Sequence, residues 1–242
     1  MKDTKILGGR LWCRQPASGY RFAVDSLLLA WFVLHRRGTG RGGRGLELGG
    51  GSGVVSATIL AGRGLDRADL VEIQAHAHAA AQGTATINGL DTRMGCHLAD
   101  LRTLPGVLPS LDRPDVIYAN PPFHRLDRGR IPPDPASAIA RHEVEANMDD
   151  ILDAAGRLLP SRGLLYLTYP ATRLGELLVR LPARNLTPTR LVLAWAAPDA
   201  DASRLLLEAR KDVETPLTIG PPQQMDGEWQ KDLCGMLDTV GK

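Results

Sequence analysis

Cysteine is nearly absent: Cys13, Cys96 and Cys234 are the only three, widely separated and with no Cys-x-x-Cys pair. That spacing argues against a structural zinc and for a reducing compartment. Lysine is sparse too. It supplies five of the 29 basic residues and arginine the other 24, a balance that suits planar contacts to phosphates and bases but follows equally from biased codon usage. Neither charge dominates; the net charge is +2, so any nucleic-acid role rests on local patches. No apolar run nears membrane-spanning length, and Met1 to Lys5 does not open a secretory signal. A cytoplasmic protein with no membrane partner is therefore expected. With 43% hydrophobic residues over 242 positions and no internal repeat, one domain with appendages is expected.

Several catalytic signatures are missing as well. The stretch Gly49-Gly50-Gly51-Ser52-Gly53 runs into Val54, which breaks both the dinucleotide fingerprint and the Gly-x-Ser-x-Gly elbow, and no Gly-Lys-Ser/Thr follows to make a P-loop. His142-Glu143 lacks the second histidine of a zinc-protease helix, because Ala146 stands there. His76 and His78 are two apart and would face different ways on a helix. No metal site is expected.

What is present centres on Asp115-Val116-Ile117-Tyr118-Ala119-Asn120-Pro121-Pro122-Phe123. The β-branched and aromatic residues read as a buried strand, and two prolines without N–H groups end it. The prolines stiffen an extended rim at a carboxyl strand end, where open α/β sheets bind ligands. Such a rim suits methyl transfer to a planar NH2 group. The Asn120 side-chain oxygen and the Pro121 carbonyl can each accept one N–H, directing the nitrogen lone pair at a methyl donor, while Phe123 offers a stacking face. A plain turn after a strand is the alternative for this tetrapeptide.

The second motif is Glu47-Leu48-Gly49-Gly50-Gly51-Ser52-Gly53, followed by the helix-like run Val54 to Ala61. A strand entering a glycine-rich turn that opens a helix lets a ligand press on bare backbone. Glu47 just before it would repel a pyrophosphate yet suits an ammonium-bearing ligand such as S-adenosylmethionine. Glu72 lies at the end of the next strand, read over 69–73, where a carboxylate can take two ribose hydroxyls. Asp100 follows the strand Met94 to Leu98 and is a candidate for the adenine amino group, with a capping aspartate as the alternative.

Elsewhere, 6–13 reads as a hairpin turning at Gly8-Gly9, and Ser26 to Leu34 as a helix that covers the cofactor pocket, with Arg21 and Asp25 near the donor's charged end. Arg36, Arg37, Arg41 and Arg44 alternate with glycines and read as a mobile loop, an RNA clamp or a solvated linker. Residues 124–141, basic and proline-punctuated, read as a substrate-binding loop. Helices are expected over 75–87, 149–159 and 174–181, strands over 163–169, 190–196 and 204–210, and a helix in the tail around Trp229, Leu233 and Leu237.

Alternating strands and helices with acidic-Gly-rich, acidic and Asn-Pro-Pro-aromatic motifs at successive strand ends resemble the Rossmann-like class I S-adenosylmethionine-dependent methyltransferases. Leu7-Gly8-Gly9-Arg10, Arg14-Gln15-Pro16 and Gly19-Tyr20-Arg21 to Asp25-Ser26-Leu27-Leu28-Leu29-Ala30 are further similar to the amino-terminal signature of the bacterial valine-tRNA adenine-N6 methyltransferases. The resemblance implies an α/β fold with a mostly parallel seven-stranded sheet and an antiparallel edge hairpin, an amino-terminal extension over 1–44, and a catalytic domain over 45–242. It implies Glu47, Gly49, Gly51 and Gly53 on the methionine side of the cofactor, Glu72 on the ribose and Asp100 on the adenine. Asn120, Pro121, Pro122 and Phe123 would hold the target adenine, with tRNA as partner and the oligomeric state open. Phe123-His124 departs from the tyrosine commonest in that family and also occurs in ribosomal RNA guanine-N2 enzymes. Those, glutamine-N5 methyltransferases and a non-catalytic cofactor-binding RNA adaptor are the alternatives; the 44 residues before the first motif strand are too few for the second domain usual in the guanine enzymes.

Overall fold

The computed structural model describes residues 1–15, 24–104, 113–121, 147–197, 199–225 and 227–239. Its first elements are β1 (Lys2–Ile6), β2 (Leu11–Gln15) and α1 (Val24–Arg37). The alternating core follows: β3 (Arg44–Leu48), α2 (Val54–Ala61), β4 (Arg67–Glu72), α3 (Ala75–Ile87), β5 (Met94–Leu98) and β6 (Val116–Ala119). Next come α4 (Met148–Leu158), β7 (Leu164–Pro170), α5 (Leu174–Arg180), β8 (Leu186–Trp195) and β9 (Arg204–Lys211). Two short strands, β10 (Thr218–Ile219) and β11 (Gln223–Gln224), precede α6 (Glu228–Asp238).

Strands β7, β6, β3, β4 and β5 lie side by side and parallel. β9 joins β7 antiparallel and β8 joins β9, so the expected closing hairpin stands at the edge. The seven long strands match the expected sheet; β10 and β11, two residues each, add short parallel pairings to β8. The order of the chain reverses between β3 and β6, because β4 and β5 extend the sheet to one side and β6 and β7 to the other. A crevice at the carboxyl ends of β3 and β6 is the consequence.

Alternation along the strands feeds two cores. Leu46, Leu48, Ile117, Ala119, Leu165 and Leu167 pack under α4 and α5. Val116, Tyr118, Leu70 and Tyr166 face α1, α2 and α3. Helix α1 is buried from Asp25 through Leu34, because it is apolar on every side and is covered in turn by α2 and by Trp229 and Leu233 of α6. Its Phe32 meets Tyr166 edge to face at 5.6 Å between ring centroids.

Three local expectations are corrected. The first hairpin turns through a 3₁₀ segment at Leu7–Gly9, with Leu7 itself at φ 50°, so the connection is longer than a two-residue Gly-Gly turn and its strands reach Lys2 and Gln15. Helix α1 continues to Arg37, placing Arg36 and Arg37 in its last turn and not in a loop. Arg36 then reaches the buried Glu208 at 3.0 Å, and Arg37 donates to the Gly42 and Gly64 carbonyls. β4 begins two residues earlier than expected and ends at Glu72.

Candidate active site

The strand register lines up the expected residues along one edge. Glu47 pairs with Tyr118, Leu48 with Val71 and Glu72 with Leu98. Asn120, Gly49, Glu72 and Asp100 consequently stand at or just past the carboxyl ends of β6, β3, β4 and β5 in that spatial order, an array of about 14 Å at ~4.8 Å per strand. Pro122, Phe123, Arg21 and the 124–141 loop lie outside the described residues.

The glycine turn has the conformation that its composition demands. Gly49, Gly51 and Gly53 have φ of 72°, 54° and 72°, a region where a side chain crowds the following carbonyl. A Cβ built on Gly49 or Gly51 meets nothing within 4 Å, so bare backbone faces open space there. Gly50 is different: its Cβ would come within 2.9 Å of Leu70, which makes it a packing glycine.

Glu72 ties this turn to β4. One carboxylate oxygen accepts from the Gly51 N–H at 2.9 Å and the other from the Gln74 N–H at 2.8 Å. An ionised carboxylate has about four acceptor positions, so lone pairs on both oxygens remain for hydroxyl donors.

Glu47 turns inward. Only 2% exposed, it accepts from the Ser56 N–H at 3.1 Å and the Ser56 hydroxyl at 2.5 Å, and that hydroxyl lies 2.7 Å from the Tyr118 hydroxyl. Its contacts therefore cap the first turn of α2 from beneath the glycine turn. Burial pushes its carboxyl up to about 8, against the opposing pull of the Ser56 hydrogen bonds.

Asp100 accepts from the Arg102 N–H at 2.9 Å and is gripped by the Arg102 guanidinium, at 2.5 Å for the shortest contact. The guanidinium hydrogen bonds hold its carboxyl below the usual range. Capping and a ligand contact are compatible here, since the side chain keeps partial exposure at 26%.

Asn120 carries the most telling geometry. Its Nδ2 donates to the Ser26 hydroxyl at 3.0 Å, while its Oδ1 is buried with no hydrogen-bond partner among the described residues. A buried acceptor left unmade costs about 1–3 kcal/mol, so this oxygen is open to a donor from elsewhere. Pro121 beside it is buried. Ser26 and the adjacent Asp25 belong to the first turn of α1, and Asp25 pairs with Arg204 of β9 at 2.8 Å. The helix start thus reaches the carboxyl ends of both the parallel strands and the edge hairpin. Sequence reading placed Asp25 near this end but missed Ser26 as the partner of Asn120, 94 positions away; only the Asp25-Ser26 pair within the amino-terminal signature hinted at it. The Ser56–Tyr118 support of Glu47 left no motif to find.

A Rossmann-like methyltransferase fold is what this sheet order, switch point and edge define. Residues 24–132 match the family model of the methyltransferase small domain. Among curated relatives, the tRNA1(Val) (adenine(37)-N6)-methyltransferase of Porphyromonas gingivalis is 29% identical over 168 residues, covering 68% of this chain and 64% of the relative. The enzyme of the same name from Aeromonas salmonicida is 31% identical over 140 residues, 56% of this chain and 55% of its own length. The chain thus aligns with rather less than two thirds of these relatives. Of solved structures, one described as a predicted O-methyltransferase from Agrobacterium tumefaciens superposes with a TM-score of 0.65 at 19% identity, covering 88% of this chain and 96% of that one. The Thermus thermophilus 16S rRNA N2 G1207 methyltransferase, in complex with AdoMet and guanosine, gives 0.58 at 22% identity over 87% of this chain and 50% of its own.

Proposed function

We propose that this chain is an S-adenosylmethionine-dependent methyltransferase acting on the exocyclic N6 amine of an adenosine in tRNA, beside the anticodon. The unpartnered, buried Asn120 Oδ1 carries the reading. The names of the curated relatives support the choice of tRNA and of adenine. The residues present fit the donor: open space over Gly49 and Gly51, lone pairs on Glu72, and Asp100 at the far end of the same edge.

S-adenosylmethionine supplies an electrophilic methyl group on a sulfonium. This chain's part is positioning. Gly49, Gly51 and Gly53 shape the methionine side and Glu47 stiffens that turn from below; Glu72 takes the ribose hydroxyls and Asp100 the adenine edge. Asn120 Oδ1 and the Pro121 carbonyl each accept one N–H of the target amine, so its lone pair is drawn out of the ring and aimed in line. Ser26 fixes which face Asn120 presents. Pro122 and Phe123, outside the described residues, enter on the sequence motif alone, Phe123 as the aromatic proposed to stack on the flipped-out base. No strong base is needed before attack, because the amine loses its proton once it carries the new methyl.

Incubating the protein with radiolabelled S-adenosylmethionine and unmodified tRNA, then identifying labelled nucleosides, tests this. N6-methyladenosine is expected. Label in N2-methylguanosine would reassign the base, label surviving ribonuclease would indicate a protein amide, and tight cofactor binding without transfer to any substrate would leave an adaptor.

A further inference from the structure

Arginine is spread over this chain, but the strand register gathers part of it into a row. Arg44 opens β3 and pairs with Arg67, which opens β4. Ala68 pairs with Met94, which sets Arg93 beside Arg67 at the start of β5. Val116 pairs with Leu164, so Arg113 and Arg162 stand just ahead of β6 and β7. Lys211 ends the antiparallel β9 at this same edge, its carbonyl accepting the Arg162 N–H at 2.8 Å. Six adjacent strands thus each bring one cation to the amino edge, a row of about 24 Å at ~4.8 Å per strand.

Asp66, Asp69, Asp91, Asp115 and Asp212 stand at this edge too, outnumbered by the basic side chains there. Asp66 accepts from the Gly43 N–H at 2.8 Å and Asp115 from the Arg44 N–H at 2.9 Å. Asp69 holds His97 at 2.8 Å and stands 3.9 Å from Arg67. Arg93 caps the Leu65 and Asp66 carbonyls, which engages its donors without cancelling its charge. Arg67, Arg113 and Arg162 are exposed, and the neighbouring turns add exposed Arg41 and Arg63. The opposite, carboxyl edge carries Asp25, Glu72 and Asp100 among its described residues, with Arg204 and Arg102 paired to the first and last of them. The amino edge is therefore more basic than a net charge of only +2 suggests.

We propose that the amino edge of the sheet is a second RNA-binding surface, which grips phosphodiester backbone away from the reacting nucleoside. A nucleic-acid duplex presents a charge about every 3.4 Å of axis on each strand, so a row of this length faces several phosphates at once. The five steps from Arg44 to Gly49 separate it from the candidate active site by about 16 Å along β3. A full-length folded RNA seated at the carboxyl edge has the extent to engage the whole row, and a short stem-loop engages less of it. The identity of the RNA as tRNA rests on the function proposed above, while the surface itself does not.

The test is the triple variant Arg67→Gln, Arg113→Gln, Arg162→Gln, whose side chains lie outside both cores and the candidate active site. Its control, Lys2→Gln, Lys5→Gln, Lys231→Gln, removes the same charge elsewhere. Binding of fluorescent full-length tRNA is followed by anisotropy over a range of salt, with an anticodon stem-loop as the short ligand. Loss of about tenfold or more in tRNA affinity, and a salt slope shallower by about 2, are expected for the arginine triple alone. Stem-loop binding should fall less than tRNA binding does. Equal losses in both triples would mean a bulk charge effect, and no loss in either a merely solvated edge; each overturns the proposal. These readings need no methyl transfer, so failure of the methylation assay and failure of this surface are separate results.

Discussion

Asn120 can be separated experimentally from the residues beside it that are proposed to hold the cofactor. Asn120→Ala removes the buried acceptor and should lower the transfer rate by about 10²-fold or more, while cofactor affinity stays within a few-fold by calorimetry. Ser26→Ala leaves the acceptor in place but frees its amide to turn, since Nδ2 loses its 3.0 Å partner. A loss of roughly tenfold in kcat with unchanged cofactor Kd is expected. Gly51→Ala places a methyl group in the open cradle at φ 54°. The backbone conformation costs about 1–2 kcal/mol in the melt, and cofactor affinity should fall further than stability does. Glu47 predicts a pH dependence. Its carboxyl, ordinarily near 4.5, is pushed up to about 8 in the fold, so between those values the folded state holds more proton than the unfolded one. Stability contributed by this group is present at low pH and is lost as pH rises through that window. Melts of Glu47→Gln against the parent from pH 5 to 9 should show the parent losing ground steadily with rising pH.

The elements divide by how local their causes are. The limits of α2, α3 and β5 were legible to the residue, because a left-handed glycine at Gly53, an Asn88-Gly89 stop and a short apolar run are written in adjacent positions. The glycine turn was legible for the same reason. The last turn of α1 was not, since the glycines after Arg37 suggested a loop while Glu208, 172 positions on, anchors Arg36 into the helix. Strands of two residues, as in β10 and β11, have no periodicity to read. At this scale α4 offers a clean test. Asn147 accepts from the Asp150 N–H at 3.1 Å and Asp150 returns the contact at 3.0 Å, a reciprocal cap. Asn147→Ala should cost about 1 kcal/mol in chemical denaturation and leave transfer at saturating substrate unaltered. Asp25→Asn weakens the tie of α1 to Arg204; transfer should fall by more than the melting temperature would suggest, because Ser26 shares that turn.

For the whole molecule, the two edges of the sheet differ: bare glycine backbone and acids paired with Arg102 and Arg204 stand at the carboxyl ends, and a row of cations interspersed with Asp66, Asp69 and Asp115 at the amino ends. The contacts that complete the reacting end also span long stretches of chain, 94 positions from Ser26 to Asn120 and 179 from Asp25 to Arg204. The glycine turn and Glu72, by contrast, are 21 positions apart. During synthesis on the ribosome, which releases a chain from its amino end, the glycine turn and Glu72 emerge close together, whereas the Asp25–Arg204 pair waits for β9. A chain that ends before Arg204 lacks the partner of Asp25, so the start of α1 is the part of this edge that is secured last.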